Sequence, residues 1–213
     1  MPQTSPQSSI ELEISETKYK KSLEAEERAG NKAGMATAYG NLGIIYLTMG
    51  VLDKAEGMFK KSLEIEKELA NKEAMASDYG YLGTVYQMQD NMEQAENMFK
   101  NSLQINQELG RNQGMATAYA KLGKIYYTRR DLDQAENMFK KNLEMEIKLD
   151  NKQGMATAYG FLGDIHRIRQ DLDQAENLYK ESLKLFMAIG SDHMIQIMKE
   201  LLTNLKKKKE LND

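Results

Sequence analysis

The chain contains no cysteine, which excludes disulfides and thiol catalysis. Its net charge of −3 over 213 residues gives no strong pull toward nucleic acid or an anionic membrane. No apolar run approaches the ~20 residues that span a bilayer. There are two histidines, and the HExxH, P-loop and GxSxG patterns are all missing, so no metal, nucleotide or triad motif is present. Proline occurs only as Pro2 and Pro6, in the polar opening MPQTSPQSS. That stretch lacks the basic start and apolar core of a secretory signal and reads as a disordered leader. The expectation is a protein with no cofactor, no metal and no catalytic residues, placed in the cytoplasm by default.

What the sequence has is repetition. GMATAYGNLG from Gly34, AMASDYGYLG from Ala74, GMATAYAKLG from Gly114 and GMATAYGFLG from Gly154 recur at a spacing of 40 residues. A period in this range marks a solenoid, in which each unit buries its apolar face only against its neighbours. Hydrophobic residues make up 41% and charged residues 29%, which is ordinary for a folded chain and argues against wholesale disorder.

Within one unit, Met35, Tyr39, Leu42, Tyr46 and Met49 fall at helical spacing and define a first helix, A. Leu52, Ala55, Phe59, Leu63 and Leu69 define a second, B. Asn91 with Gln94, Asp131 with Gln134 and Asp171 with Gln174 have N-cap spacing at the start of helix B; repeat 1, with Val51 and Lys54, should start most weakly. Gly30, Gly110 and Gly190 stand where helix B closes in the left-handed conformation. Where Ala70 and Asp150 replace that glycine, the following Asn71 and Asn151 are expected to take the conformation instead.

The ends read as modified units. A KSLE run at Lys21 to Glu24 repeats at Lys61 to Glu64, so the chain opens on a lone B helix. Met194, Met198, Leu201 and Leu205 form one apolar face of a last helix, while Lys199 and Lys206 replace Tyr39 and Tyr46, as a polar terminal cap requires. The expected division is a leader at 1–9, an N-terminal half-repeat at 10–30, repeats at 31–70, 71–110, 111–150 and 151–190, a capping helix at 191–209 and a tail at 210–213. Polar residues at both ends, Ser15, Lys18, Lys199 and Lys206, predict a monomer, with end-to-end association still open to it.

These residues resemble the tetratricopeptide repeat, with an aromatic, Leu-Gly and Tyr on helix A and Ala then Phe or Tyr on helix B. Repeat 1 matches through Tyr39, Leu42, Gly43, Tyr46, Ala55 and Phe59, and repeat 3 through Tyr119, Leu122, Gly123, Tyr126, Ala135 and Phe139. Repeat 2 matches through Tyr79, Leu82, Gly83, Tyr86, Ala95 and Phe99. Repeat 4 matches through Tyr159, Leu162, Gly163, Ala175 and Tyr179, with His166 at the second aromatic. The unit is longer than the common one and is similar to repeats of Pins-type scaffolds and of bacterial proteins. The resemblance implies an all-α, right-handed α-solenoid of helix-turn-helix repeats, and a concave groove, lined by the A helices, that holds peptides. Gly43 and Ala55 agree physically, since they lack bulk where two helices approach.

One stripe of helix A varies while the core positions hold. Asn41 becomes Tyr81, Lys121 and Phe161; Ile44 becomes Thr84, Lys124 and Asp164; Leu47 becomes Gln87, Tyr127 and Arg167. Mixed aromatic, basic and amide side chains suit peptide capture. The candidate peptide-binding residues are therefore Asn41, Ile44, Tyr81, Thr84, Gln87, Lys121, Lys124, Tyr127, Phe161, Asp164 and Arg167, for a protein or peptide partner carrying acidic and apolar side chains. The expected function is a non-catalytic adaptor or scaffold, not an enzyme, with no nucleic acid and no membrane as partner. The alternative is a structural module that self-associates through its ends or groove. The carboxylate clamp that co-chaperone repeats use is missing, with Gly40, Ile44, Tyr81 and Thr117 at its positions.

Other features have plainer readings. His166 reads as a packed core residue and His193 as an exposed one, Glu64 and Glu66 as a solvated face, and Lys206 to Lys209 as a cationic helix end facing the macrodipole.

Overall fold

In the computed structural model the described residues are 6–210. Among them are ten helices and no strand: α1 (Pro6–Ala29), α2 (Lys32–Thr48), α3 (Leu52–Glu68), α4 (Lys72–Met88), α5 (Met92–Glu108), α6 (Asn112–Thr128), α7 (Leu132–Lys148), α8 (Lys152–Ile168), α9 (Leu172–Ala188) and α10 (Asp192–Glu210). The A helices are α2, α4, α6 and α8; the B helices are α3, α5, α7 and α9, preceded by the lone α1. The chain divides into two compact units, Met1–Leu109 and Gly110–Asp213. The all-α helix-turn-helix repeat is the expected one. The first helix starts at Pro6, ahead of the expected boundary at 10. Proline is well tolerated at a first helical position, where its missing N–H would lack a helical partner anyway. Residues 1–5 of the expected leader and 211–213 of the expected tail lie outside the described residues.

The turn between α1 and α2 has two residues and opens on Gly30 with positive φ; each later turn has three, and its middle one has positive φ: Gly50, Ala70, Asp90, Gly110, Arg130, Asp150, Gln170 and Gly190. The geometry is fixed by two backbone bonds, as where Ala70 N donates to Lys67 O at 3.1 Å and Asn71 N to Glu66 O at 3.0 Å. This corrects the expectation for Asn71 and Asn151. Ala70 (φ 52) and Asp150 (φ 50) take the left-handed conformation themselves. The asparagines have negative φ and cap the next helix, Asn71 accepting from Ala74 N and Asn151 from Gly154 N. An Asn side chain can cap only from the extended side of the helix start, so the strain of about 1 kcal/mol falls on the alanine.

Asn91, Asp131 and Asp171 accept from the N–H groups of Gln94, Gln134 and Gln174, whereas Val51 makes no side-chain cap bond. Gly43 is small because Phe59 lies against it: a Cβ there would stand 2.7 Å from the Phe59 ring, and one on Gly163 would stand 2.7 Å from Tyr179. The B helices add a periodic polar seam. Glu16–Lys20 and Glu56–Lys60 are ion pairs at 2.6 and 2.7 Å, and Tyr46 and Tyr86 of the following A helices donate their hydroxyls to Glu16 at 2.8 Å and Glu56 at 3.0 Å.

In the second unit, Met198 and Leu205 of α10 are buried, with Met194 and Leu201 packed beside them, and Lys199 and Lys206 are exposed. The basic end of α10 is more than a solvated terminus, since Lys209 Nζ reaches Asp173 at 2.5 Å and Glu176 at 2.6 Å on α9. Glu176, bonded by Lys180 and Lys209, is held down at about 2.

Candidate functional site

In the first unit the varying stripe lies on α2 and α4. Ile44 is exposed, and Asn41 and Gln87 are half-buried. Thr84 donates its hydroxyl to Gly80 O at 3.1 Å, which satisfies it within its own helix. Tyr81 stacks on Phe59 of α3, with ring centroids 4.9 Å apart and planes at 5°, yet remains 37% exposed. It lies flat on the core and shows its other side to solvent.

The second unit repeats this arrangement with more charge. Phe161 of α8 stacks on Phe139 of α7 at 4.6 Å and 3°, and Tyr127 of α6 meets Phe161 edge-on at 5.9 Å. Lys124 Nζ stands 5.4 Å from the Phe161 centroid, within cation–π range. Lys121 is half-buried one turn earlier on α6. Burial first, and then the charge of Lys124, hold the Lys121 ammonium below the usual lysine range.

Arg167 and Asp164 are committed to each other and to the core. Tyr179 donates to Asp164 Oδ1 at 2.8 Å, Arg167 Nε donates to the Tyr179 oxygen at 3.1 Å, and Arg167 Nη2 reaches Asp164 Oδ1 at 3.2 Å. Burial drives the Tyr179 hydroxyl up, with Asp164 adding to the effect, so it remains a neutral donor. The stripe in this unit thus joins Lys121, Lys124, Tyr127 and Phe161, while Asp164 and Arg167 form a closed triangle beside them. The part played by Tyr179 was missed in the sequence, although a signal existed: repeat 4 alone has Tyr at the Phe59 position, and it alone has Asp164 and Arg167 in the stripe.

His166 is half-buried in the tyrosine slot, its Nδ1 3.1 Å from Asp171 Oδ2 and its Nε2 3.8 Å from Glu136 Oε1. Arg169 also bonds Glu136 and Asp133. His193 is exposed. Glu64 is exposed as expected but Glu66 is buried, contrary to the solvated-face reading. Glu66 turns between helices α3 and α4, a direction that spacing along one helix does not show. Among the described residues no group of three or more His, Cys, Asp or Glu side chains is placed to hold a metal ion, and no helix is long and apolar enough to cross a membrane.

Residues 26–201 match the MalT-like TPR region, and the chain belongs to that tetratricopeptide-repeat family. No curated protein sequence matches it. Among solved structures it is similar to BtubC (BKLC) from P. vanneervenii, with 19% identity over 93% of this chain and 92% of that one, at a TM-score of 0.70. It is also similar to a signal transduction ATPase with numerous domains from Pyrococcus horikoshii that has a tetratricopeptide repeat sensor. There the identity is 21% over 83% of this chain but 27% of the other, at a TM-score of 0.72. A third likeness is to a Rap protein complexed with competence and sporulation factor, with 17% identity over 92% of this chain and 59% of that one, at a TM-score of 0.65. Identities this low establish a shared fold.

Proposed function

We propose that the chain is a non-catalytic adaptor that binds an extended or helical segment of a protein partner on the A-helix faces of its units. The observation that carries this reading is the contrast inside the repeats. Phe59, Phe99, Phe139 and Tyr179 keep the core nearly constant, while the neighbouring stripe changes from Asn41 to Tyr81, Lys121 and Phe161. A face with no task would not need aromatic rings at its surface, and Tyr81 shows one there. Lys121 and Lys124 beside Tyr127 and Phe161 fit an acidic side chain next to an apolar one, because Asp164 already neutralises Arg167. The Rap protein, solved with a bound factor, shows that a related repeat fold can hold a partner.

Peptides selected from a random library on the full chain test this reading by affinity. Tyr127→Ala should weaken the best binder by about tenfold, equivalent to 1–2 kcal/mol for an anchor residue. Lys124→Glu should weaken it more at low salt than at high salt. Lys184→Glu on α9, an exposed B-helix position, should leave affinity unchanged. Equal losses in all three variants, or in none, would move the binding face elsewhere.

A second reading has one observation in its favour. Ile10 and Ile14, one turn apart on α1, are 58% and 64% exposed, so the N-terminal end is less polar than Ser15 and Lys18 suggest. A dimer in light scattering that Ile14→Glu dissolves would establish self-association through that helix; a monomer at micromolar concentration sinks it.

A further inference from the structure

Repeat 2 departs from the other repeats in its interior. One buried position of the A helices is Ala38, Ala118 and Ala158 on α2, α6 and α8, but Asp78 on α4. Asp78 is 5% exposed, and so is Glu66 on the adjoining α3. Ser62 of α3 hydrogen-bonds Asp78, yet Asp78 Oδ2 and Glu66 Oε2 have no hydrogen-bond partner. Two carboxylates so placed cannot both be ionised without cost. Each has lost water without gaining enough donors, and each repels the other.

The cause lies at Ala74. At the seams leading into repeats 1 and 4 the corresponding glutamates, on α1 and α7, turn toward the next helix start, where Glu26 Oε2 accepts from Asn31 Nδ2 at 2.7 Å and Glu146 Oε2 from Asn151 Nδ2 at 2.8 Å. Those carboxylates occupy the space that a Cβ on Gly34 or Gly154 would fill. Repeat 2 has that Cβ, on Ala74. The methyl group denies Glu66 the place beside Asn71 and leaves its carboxylate against Asp78.

We propose that Asp78, buried against Glu66, holds a proton in the folded protein, making the α3–α4 seam a pH-sensitive contact that is tight when Asp78 is protonated and loosened when the proton leaves. The surroundings offer no counter-charge among the described residues. The buried residues of α5 are Ala95, Phe99, Ser102 and Asn106, and those of α2 include only the neutral phenols Tyr39 and Tyr46 as titratable groups. On α3, Glu64 and Lys67 are exposed, with Lys67 Nζ over the Tyr79 ring; on α4, Glu73 is exposed and Lys72 is bonded to Glu108. Burial, opposed by the Ser62 bond and reinforced by the charge of Glu66, pushes the Asp78 carboxyl from 3.8 up to about 7.

The sign follows from the raised value. Between these two values the folded state binds the proton that the unfolded state has released, so stability declines as pH rises from about 4 through about 7. Glu16, Glu56 and Glu136 have lowered values and act oppositely, since their stabilisation is lost as pH falls. A difference between variants therefore isolates the pair.

Urea unfolding of the full chain from pH 5 to pH 8 tests the proposal in the wild type, Asp78→Ala and Ala74→Gly. Alanine is the residue the other three repeats use, so Asp78→Ala should fold and should unfold at higher urea than the wild type at pH 8, with the gap closing toward pH 5. Ala74→Gly, with Asp78 intact, should also flatten the pH dependence by readmitting Glu66 to Asn71. Carboxyl-detected NMR should show Asp78 titrating near 7 rather than near 3.8. Parallel urea curves for the wild type and both variants, or an Asp78 carboxyl titrating near 3.8, would overturn it.

Discussion

Phe139→Ala should lower the stability of the chain by about 4 kcal/mol, read as the shift of its urea unfolding curve. The ring is 1% exposed and serves two neighbours. One side lies against Gly123, where a Cβ would come within 3.0 Å of Phe139 Cε1, and Phe161 stacks on it at 4.6 Å. Truncation therefore leaves a cavity with glycine on one side, which cannot fill it, and removes the support under a ring of the proposed partner face. Phe161→Ala should cost much less, because that ring is only half-buried and its loss exposes Phe139 to solvent without opening an enclosed void. Equal costs for the two variants would mean that the stack is not built as described.

Gly83→Ala should cost about 3 kcal/mol, while Gly80→Ala, one turn away on the same helix, should add about 1 kcal/mol of stability. A Cβ at Gly83 would stand 2.6 Å from Cε1 of the buried Phe99 ring, which has no free direction in which to move. At Gly80 the same atom would meet only Ser102 Oγ at 3.7 Å, an ordinary contact, and the helix would gain the propensity of alanine over glycine. Repeat 3 already has Ala120 at that position. Circular dichroism during denaturation reads both, and a gain in stability from both would show that helix propensity, not the approach of α4 to α5, governs these glycines.

The helix pairs were legible because their signals are local and occur four times. The Leu-Gly of helix A and the Ala and Phe of helix B give period and packing together, and Asp131 with Gln134 gives a helix start. The left-handed turn residues were half legible. Gly30, Gly110 and Gly190 announce themselves, but Arg130 and Gln170 adopt the same conformation only because the two flanking helices require it. The candidate site was legible as a stripe but not as a set of contacts. Spacing put Phe161 and Tyr81 on one face; it could not show that each lies flat on the aromatic ring of the preceding B helix. Nor could it show that Arg167 is held by Asp164 and Tyr179, because that triangle joins α8 to α9. Glu66 misled for the same reason, since its burial depends on a methyl group on the next helix.

Amide hydrogen exchange of the full chain, with and without the tightest peptide from the selection, tests most directly the claim that partners bind on the A-helix faces. Bound peptide should slow exchange or shift resonances along α6 and α8 around Lys121, Lys124, Tyr127 and Phe161, or along α4 around Tyr81 and Gln87, and leave the exposed faces of α3, α5, α7 and α9 unchanged. Protection confined to those B helices, or to α1 and α10, would contradict the account.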